Sequence, residues 1–128
     1  MLKPVQVRPL NGKTMTTTLY GIPNCDTVKK ARTWLDKHGV TYTFHDYKKQ
    51  GINAATLKHW CAEFGYEQVL NQRGTTWRKL SDDERSNLTQ AKALRLMQEH
   101  TSVIKRPILD SGTRRLLGFS EADYKALL

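Results

Sequence analysis

Cysteine is nearly absent from this chain. Only Cys25 and Cys61 are present among 128 residues, and neither has a second cysteine or a histidine at the spacing of a zinc site. No metal centre is expected, and in a reducing compartment the two thiols stay unpaired. Long apolar runs are missing as well: nothing approaches the roughly 20 residues needed to cross a bilayer, so no membrane partner is expected. The sequence holds no nucleotide-binding or flavin motif, and no tightly bound cofactor is expected. Acidic residues are scarce, 12 against 21 lysines and arginines, for a net charge of +9. That excess invites anions. The cations are scattered, however, and no basic block with interleaved aromatics points to nucleic acid. Scattered cations that converge on folding suit a small anion instead.

The first fourteen residues, with Pro4, Pro9, Asn11 and Gly12, have no helical or strand periodicity and are expected to be a flexible leader. They lack the apolar segment and cleavage site of a secretory signal, so the expected location is the cytoplasm. Residues 15–128 are expected to form one domain. Thr16–Ile22 reads as a strand that runs into the tight loop Gly21-Ile22-Pro23-Asn24. From Cys25 to His38, Val28, Ala31, Trp34 and Leu35 recur at helical steps, and Gly39 stops the pattern. Val40–Tyr47 alternates like a second strand, which a right-handed crossover would pair parallel to the first.

A helical block is expected over about 52–100, with helices over 53–70 and 82–99 and a polar turn at 71–76, where Thr75 or Thr76 would be the N-cap. The helix over 82–99 is expected to bury Leu88, Ala91, Leu94 and Met97. Val103–Leu109 reads as a strand interrupted by Pro107, Arg114–Gly118 as its partner, and Ser120–Leu128 as a helix opened by Ser120 and Asp123. The order β-α-β, helical block, β-β-α is that of an α/β, thioredoxin-like fold with a helical insertion.

The chemistry follows from where Cys25 falls. At a strand-to-helix junction the orphan N–H groups and the positive end of the helix dipole favour a thiolate, the nucleophilic form of cysteine. Lys29, one turn on, adds a cation on the same face. Arg106 beside Pro107 could hold a carboxylate or oxyanion in bidentate fashion, and an X–Pro bond here can be cis. A cis-proline ahead of a strand would offer backbone groups to an extended thiol substrate such as glutathione. Cys61, set between Trp60 and Phe64 in a helical pattern, reads as core.

Three blocks carry a resemblance. The run Tyr20-Gly21-Ile22-Pro23-Asn24-Cys25-Asp26-Thr27-Val28-Lys29-Lys30-Ala31, the run Asn71-Gln72-Arg73-Gly74-Thr75-Thr76-Trp77-Arg78-Lys79-Leu80 and the run Ile104-Lys105-Arg106-Pro107-Ile108 resemble those of the ArsC-like superfamily of arsenate reductases, Spx and YffB. The YffB branch is the most similar. The resemblance implies a nucleophile at Cys25, a glutathione or substrate site made by Asn24, Lys29, Arg73, Arg106 and Pro107, and a cis bond before Pro107. It also implies a monothiol, glutathione-dependent reductase, with a glutaredoxin as a further partner.

Two departures bear on the alternatives. The Cys-x-x-Cys switch of Spx, a regulator that binds RNA polymerase, needs a thiol where this chain has Val28. Arsenate reduction in this superfamily uses a third arginine where this chain has Gly118, with Arg114 or Arg115 as the candidate replacement. Spx-like partner binding and arsenate reduction at an altered anion site therefore stand as the rival readings.

Overall fold

A computed structural model describes residues 16–127, so the leader expected over residues 1–14 lies outside the described part. In chain order the elements are β1 (Thr18–Gly21), α1 (Asp26–Lys37), β2 (Thr43–Asp46), α2 (Tyr47–Gln50), α3 (Ala54–Phe64) and α4 (Tyr66–Val69). There follow α5 (Thr75–Lys79), α6 (Asp82–Arg85), α7 (Gln90–Glu99), a 3-10 turn (Thr101–Val103), β3 (Ile108–Asp110), β4 (Arg115–Leu117) and α8 (Glu121–Lys125). They fall into two compact units, one made of the described residues up to Asp46 together with those from Arg106 onward, the other of Tyr47–Lys105.

The first unit is a thioredoxin-like α/β arrangement. Its four strands lie in the order β2-β1-β3-β4. β1 pairs parallel with β2 and antiparallel with β3, which in turn pairs antiparallel with β4. Leu19 and Leu109 on neighbouring strands meet Val28, Ala31, Trp34 and Leu35 of α1 and Tyr124 of α8, so both helices cover one sheet face. The period of α1 explains this: its four buried residues form one stripe, with Asp26 in the first turn and Lys37 in the last complementing the helix dipole. Arg32 fastens α1 to β2, its Nε donating to Tyr42 Oη at 3.1 Å and its guanidinium lying 4.3 Å from the Phe44 ring centroid.

Several expected boundaries need correction. The second strand ends at Asp46; Tyr47 opens α2, whose turn closes with the Gly51 N–H on Tyr47 O at 2.8 Å. The strand expected over 103–109 is two things. Ile104 bridges to Leu70 in the second unit, whereas Ile108 pairs with Tyr20 in the first. Pro107, which has no N–H, lies between them.

In the second unit, Gly65 at φ 85 separates α3 from α4, a backbone angle that favours glycine. The N-cap of α5 is Gly74, not Thr75 or Thr76. The helix expected over 82–99 is two helices. Ser81 and Glu84 form a reciprocal capping box that starts α6, Asn87 at φ 52 breaks the chain direction, and Thr89 Oγ1 restarts a helix by accepting the Lys92 N–H. The restart shifts the buried stripe to Ala93, Leu96 and Met97, leaving Ala91 exposed and Leu88 and Leu94 half-buried.

Candidate active site

Cys25 is the N-cap of α1, with extended backbone (φ −88, ψ 127). Its N–H donates to Ile22 O at 3.2 Å, closing the Ile22-Pro23-Asn24-Cys25 turn, and its carbonyl accepts the Lys29 N–H at 2.9 Å, beginning the helix. The side chain forms no capping hydrogen bond, so residue 25 does not close off the first-turn N–H groups, which face the position of an anion at the helix mouth. The residue is half-buried, with part of its side chain against the α1 core. Asn24 and Lys29 are exposed on either side of it.

Strand register decides what else lies at this end of the sheet. β1 runs toward Cys25, and Tyr20 pairs with Ile108, so the start of β3 and the preceding Arg106-Pro107 lie at the Cys25 end. The Arg106–Pro107 peptide bond is cis. Arg106 is half-buried and Pro107 buried. The Pro107 carbonyl accepts the Gly118 N–H at 2.8 Å. Asp46, a buried carboxylate, is the register partner of Gly21 at the same end.

Arg114 and Arg115 are placed otherwise than the substitution for a third arginine requires. Arg115 pairs with Asp110, which pairs with Thr18 at the far end of β1, about 10 Å along the strand from Gly21 at the usual rise per residue. Its Nη1 lies 3.6 Å from the Asp110 carboxylate. Arg114 is in the turn beyond, its N–H donating to Ser111 Oγ at 3.1 Å. Neither belongs to the Cys25 end. On the same face as this ion pair, Tyr20 lies against His45 with centroids 4.8 Å apart. Burial, then the charge of Asp110, pushes the Tyr20 phenol up, which keeps it protonated.

Arg73 belongs to the second unit. It is exposed in the turn before α5, its N–H donating to Asn71 Oδ1 at 3.1 Å. The base of that turn is tied to the segment entering Arg106: Asn71 N–H donates to Val103 O at 2.6 Å and Lys105 N–H to Val69 O at 2.8 Å. Thus Cys25, Asn24, Lys29, Arg106 and Pro107 share one unit, and Arg73 belongs to the other.

Cys61 is core, 3% exposed in α3, and burial pushes its thiol up. A raised value means that the neutral thiol contributes stability below the pH at which an unfolded cysteine ionises, and that this is lost as pH rises through the folded value. In the native protein at pH 7.5, one thiol is expected to react with an aromatic disulfide reagent and two after unfolding in urea. Two fast native thiols would contradict the burial of Cys61.

One grouping among the described residues has the composition of a metal site: Glu84, Glu99 and His100, with ligand atoms within 4.8 Å of one another. Its groups already have partners. Glu84 Oε1 accepts from Ser81, Glu84 Oε2 is 3.4 Å from His100 Nε2, and Glu99 is 3.9 Å from Arg95 Nε. The arrangement is accounted for as a Glu84–His100 contact that ties α6 to the end of α7, beside the Arg95–Glu99 pair within α7.

Comparison with known proteins identifies the family. The sequence pattern of the ArsC family matches residues 20–127. The chain belongs to the ArsC family. A solved structure described as YffB protein is 54% identical, covers 87% of this chain and 97% of its own, and superimposes with a TM-score of 0.85. An arsenate reductase (ArsC) related protein from Brucella melitensis is 51% identical over 88% of this chain and 93% of its own, with a TM-score of 0.69. The global transcriptional regulator Spx of Streptococcus pneumoniae is 29% identical over 113 residues, 87% of this chain and 84% of that protein. The sequence reading did not single out Asp46, because its place beside Gly21 arises only from strand pairing.

Proposed function

We propose that this ArsC-family protein is a monothiol oxidoreductase in which Cys25 exchanges sulfur with glutathione-type disulfides. The observation that carries the reading is a half-buried cysteine at the N-cap of a twelve-residue helix, at the sheet end that also holds Arg106 and cis-Pro107. Val28 stands three residues after Cys25 and Cys61 is buried, so an external thiol must resolve the intermediate.

The exchange has two steps. The Cys25 thiolate attacks the glutathione sulfur of a mixed disulfide; that S–S bond breaks, a Cys25–glutathione bond forms, and the substrate leaves as a thiolate that takes a proton from water. A second glutathione thiolate then attacks the glutathione sulfur on Cys25, releasing oxidised glutathione and restoring the Cys25 thiolate. The substrate mixed disulfide is reduced to a thiol, and the glutathione it carried leaves joined to one incoming glutathione as oxidised glutathione. Arg106 would hold a carboxylate, Lys29 and the first-turn N–H groups would stabilise the thiolate, and Asn24 and Pro107 would shape the groove. A glutaredoxin is a candidate for reducing the mixed disulfide, and the cytoplasm is the compartment that suits the chemistry.

Mass spectrometry after exposure to oxidised glutathione tests the reading. A single glutathione adduct on Cys25, removed by reduced glutathione, is expected, with Arg106→Ala slowing its formation about tenfold, as loss of a charge-assisted contact would. No adduct on the folded protein would refute it. The similarity to Spx supports a second reading, capture of RNA polymerase or another transcription partner. Binding to purified RNA polymerase that persists in Cys25→Ser, with no thiol exchange in the wild type, would favour that reading.

A further inference from the structure

The loop that carries Cys25 is closed at its base by a contact made by neither the cysteine nor any charged residue. Gly21, the last residue of β1, lies against Val28 in the first turn of α1: a Cβ built on Gly21 would fall 2.7 Å from Val28 Cγ2 and 3.3 Å from Cγ1. Val28 is fully buried against the sheet, among Leu19, Ala31 and Leu35, and cannot swing aside without opening the core. The Gly21 backbone angle is not of the left-handed kind, so glycine is required here by space rather than by conformation.

Gly21 and Val28 flank Cys25 four residues before and three after, and between them the chain has little slack. Pro23 fixes one φ, the Ile22–Cys25 turn is hydrogen-bonded at 3.2 Å, and the helix is under way by the Cys25–Lys29 bond at 2.9 Å. We infer that the Gly21–Val28 contact positions Cys25, fixing the height of the first helical turn above the sheet edge and with it the sulfur relative to Arg106-Pro107. The inference rests on the thiol chemistry proposed above and makes Gly21 and Val28 positioning residues, not catalytic ones. Any side chain at residue 21 must push the helix mouth outward, by about 0.7 Å to reach ordinary contact. Displacements of about 1 Å at a reacting group cost up to about 100-fold in rate.

The test is a double-mutant cycle of Gly21→Ala, Val28→Ala and both together, read by the rate of iodoacetamide alkylation of Cys25 across pH 5–9 and by the rate of adduct formation with oxidised glutathione. Gly21→Ala is expected to move the alkylation profile upward in pH and slow adduct formation about tenfold. The double variant, in which the lost γ-methyls make room for the new Cβ, should recover to within about threefold of wild type.

A folded Gly21→Ala with wild-type profile and rate overturns the inference, as does a folded double variant that stays slow. If Gly21→Ala does not fold, the double variant decides alone: folded and fast supports the inference, folded and slow or unfolded overturns it. A wild-type Cys25 no faster than the same thiol in the urea-unfolded chain overturns the oxidoreductase reading and this one together. A fast wild type with an equally fast folded Gly21→Ala overturns only this one.

Discussion

Cys25→Ser is expected to abolish glutathione exchange, by more than about 1,000-fold, while leaving the fold unchanged. A hydroxyl at the same place is not ionised near neutral pH and cannot form the mixed disulfide, so both steps are lost. The substitution is close to isosteric at a half-buried position whose side chain makes no capping bond, so its structural cost should be small. The measurement is the glutathione-coupled reduction of a small mixed disulfide, with circular dichroism as the check on folding. Cys61→Ser is the paired control. It should retain the reaction, because that thiol is buried, but melt earlier, because a hydroxyl replaces an apolar sulfur in the α3 core. Activity retained in Cys25→Ser would end the case for covalent chemistry here.

The largest effect on stability is expected from Tyr124→Ala, at about 3–5 kcal/mol, the range for removing a large buried aromatic. Tyr124 is fully buried, edge-on to Trp34 at 5.6 Å and to Phe119 at 4.8 Å, with its hydroxyl donating to Gly118 O at 3.5 Å. Its phenol is pushed far up by burial, so it stays neutral across the working pH range. Removing it takes away the aromatic that joins α8 to α1. In a chain of this size the melting temperature should fall by about 10–20 °C. A thermal melt of the purified variant reads this directly, and a fall of less than about 3 °C would mean that α8 contributes little to the core.

Both results depend on elements that differ in how plainly the sequence announces them. α1 is legible because Val28, Ala31, Trp34 and Leu35 form a stripe of period 3.6 with a cysteine-proline loop ahead and Gly39 behind. The split of 82–99 into α6 and α7 was also written locally, in the Ser81-x-x-Glu84 box and the Thr89 cap, but the apolar spacing of Leu88, Ala91, Leu94 and Met97 was carried back over the polar residues of α6, which bury nothing. The run 103–109 was not legible as it stands. Its residues look alike, yet Ile104 bridges to Leu70 and Ile108 pairs with Tyr20, and local propensity says nothing about partners distant in sequence.

The candidate site divides in the same way. Cys25 and Pro107 announce themselves through a helix start and an interrupted strand. The bond from Gly118 to Pro107 O and the closeness of Gly21 to Val28 exist only once the strands are in register and α1 is seated. Arg114 and Arg115 illustrate the converse: cations near in sequence to the expected anion site, carried to the other end of the sheet by one antiparallel pairing.

The first strand, β1, has one neighbour close to it in the chain, β2, and one that comes far later, β3. Thr18 is in register with Asp110, and all of Tyr47–Lys105 is interposed between the two halves of that unit. On the ribosome, the cysteine loop therefore emerges well before the strand that completes its wall. For that interval the nascent chain carries a thiol beside an unpaired, apolar edge, the kind of exposure that favours capture by chaperones or by stray disulfides. Deleting the last twenty residues should cost this protein its sheet rather than merely its tail.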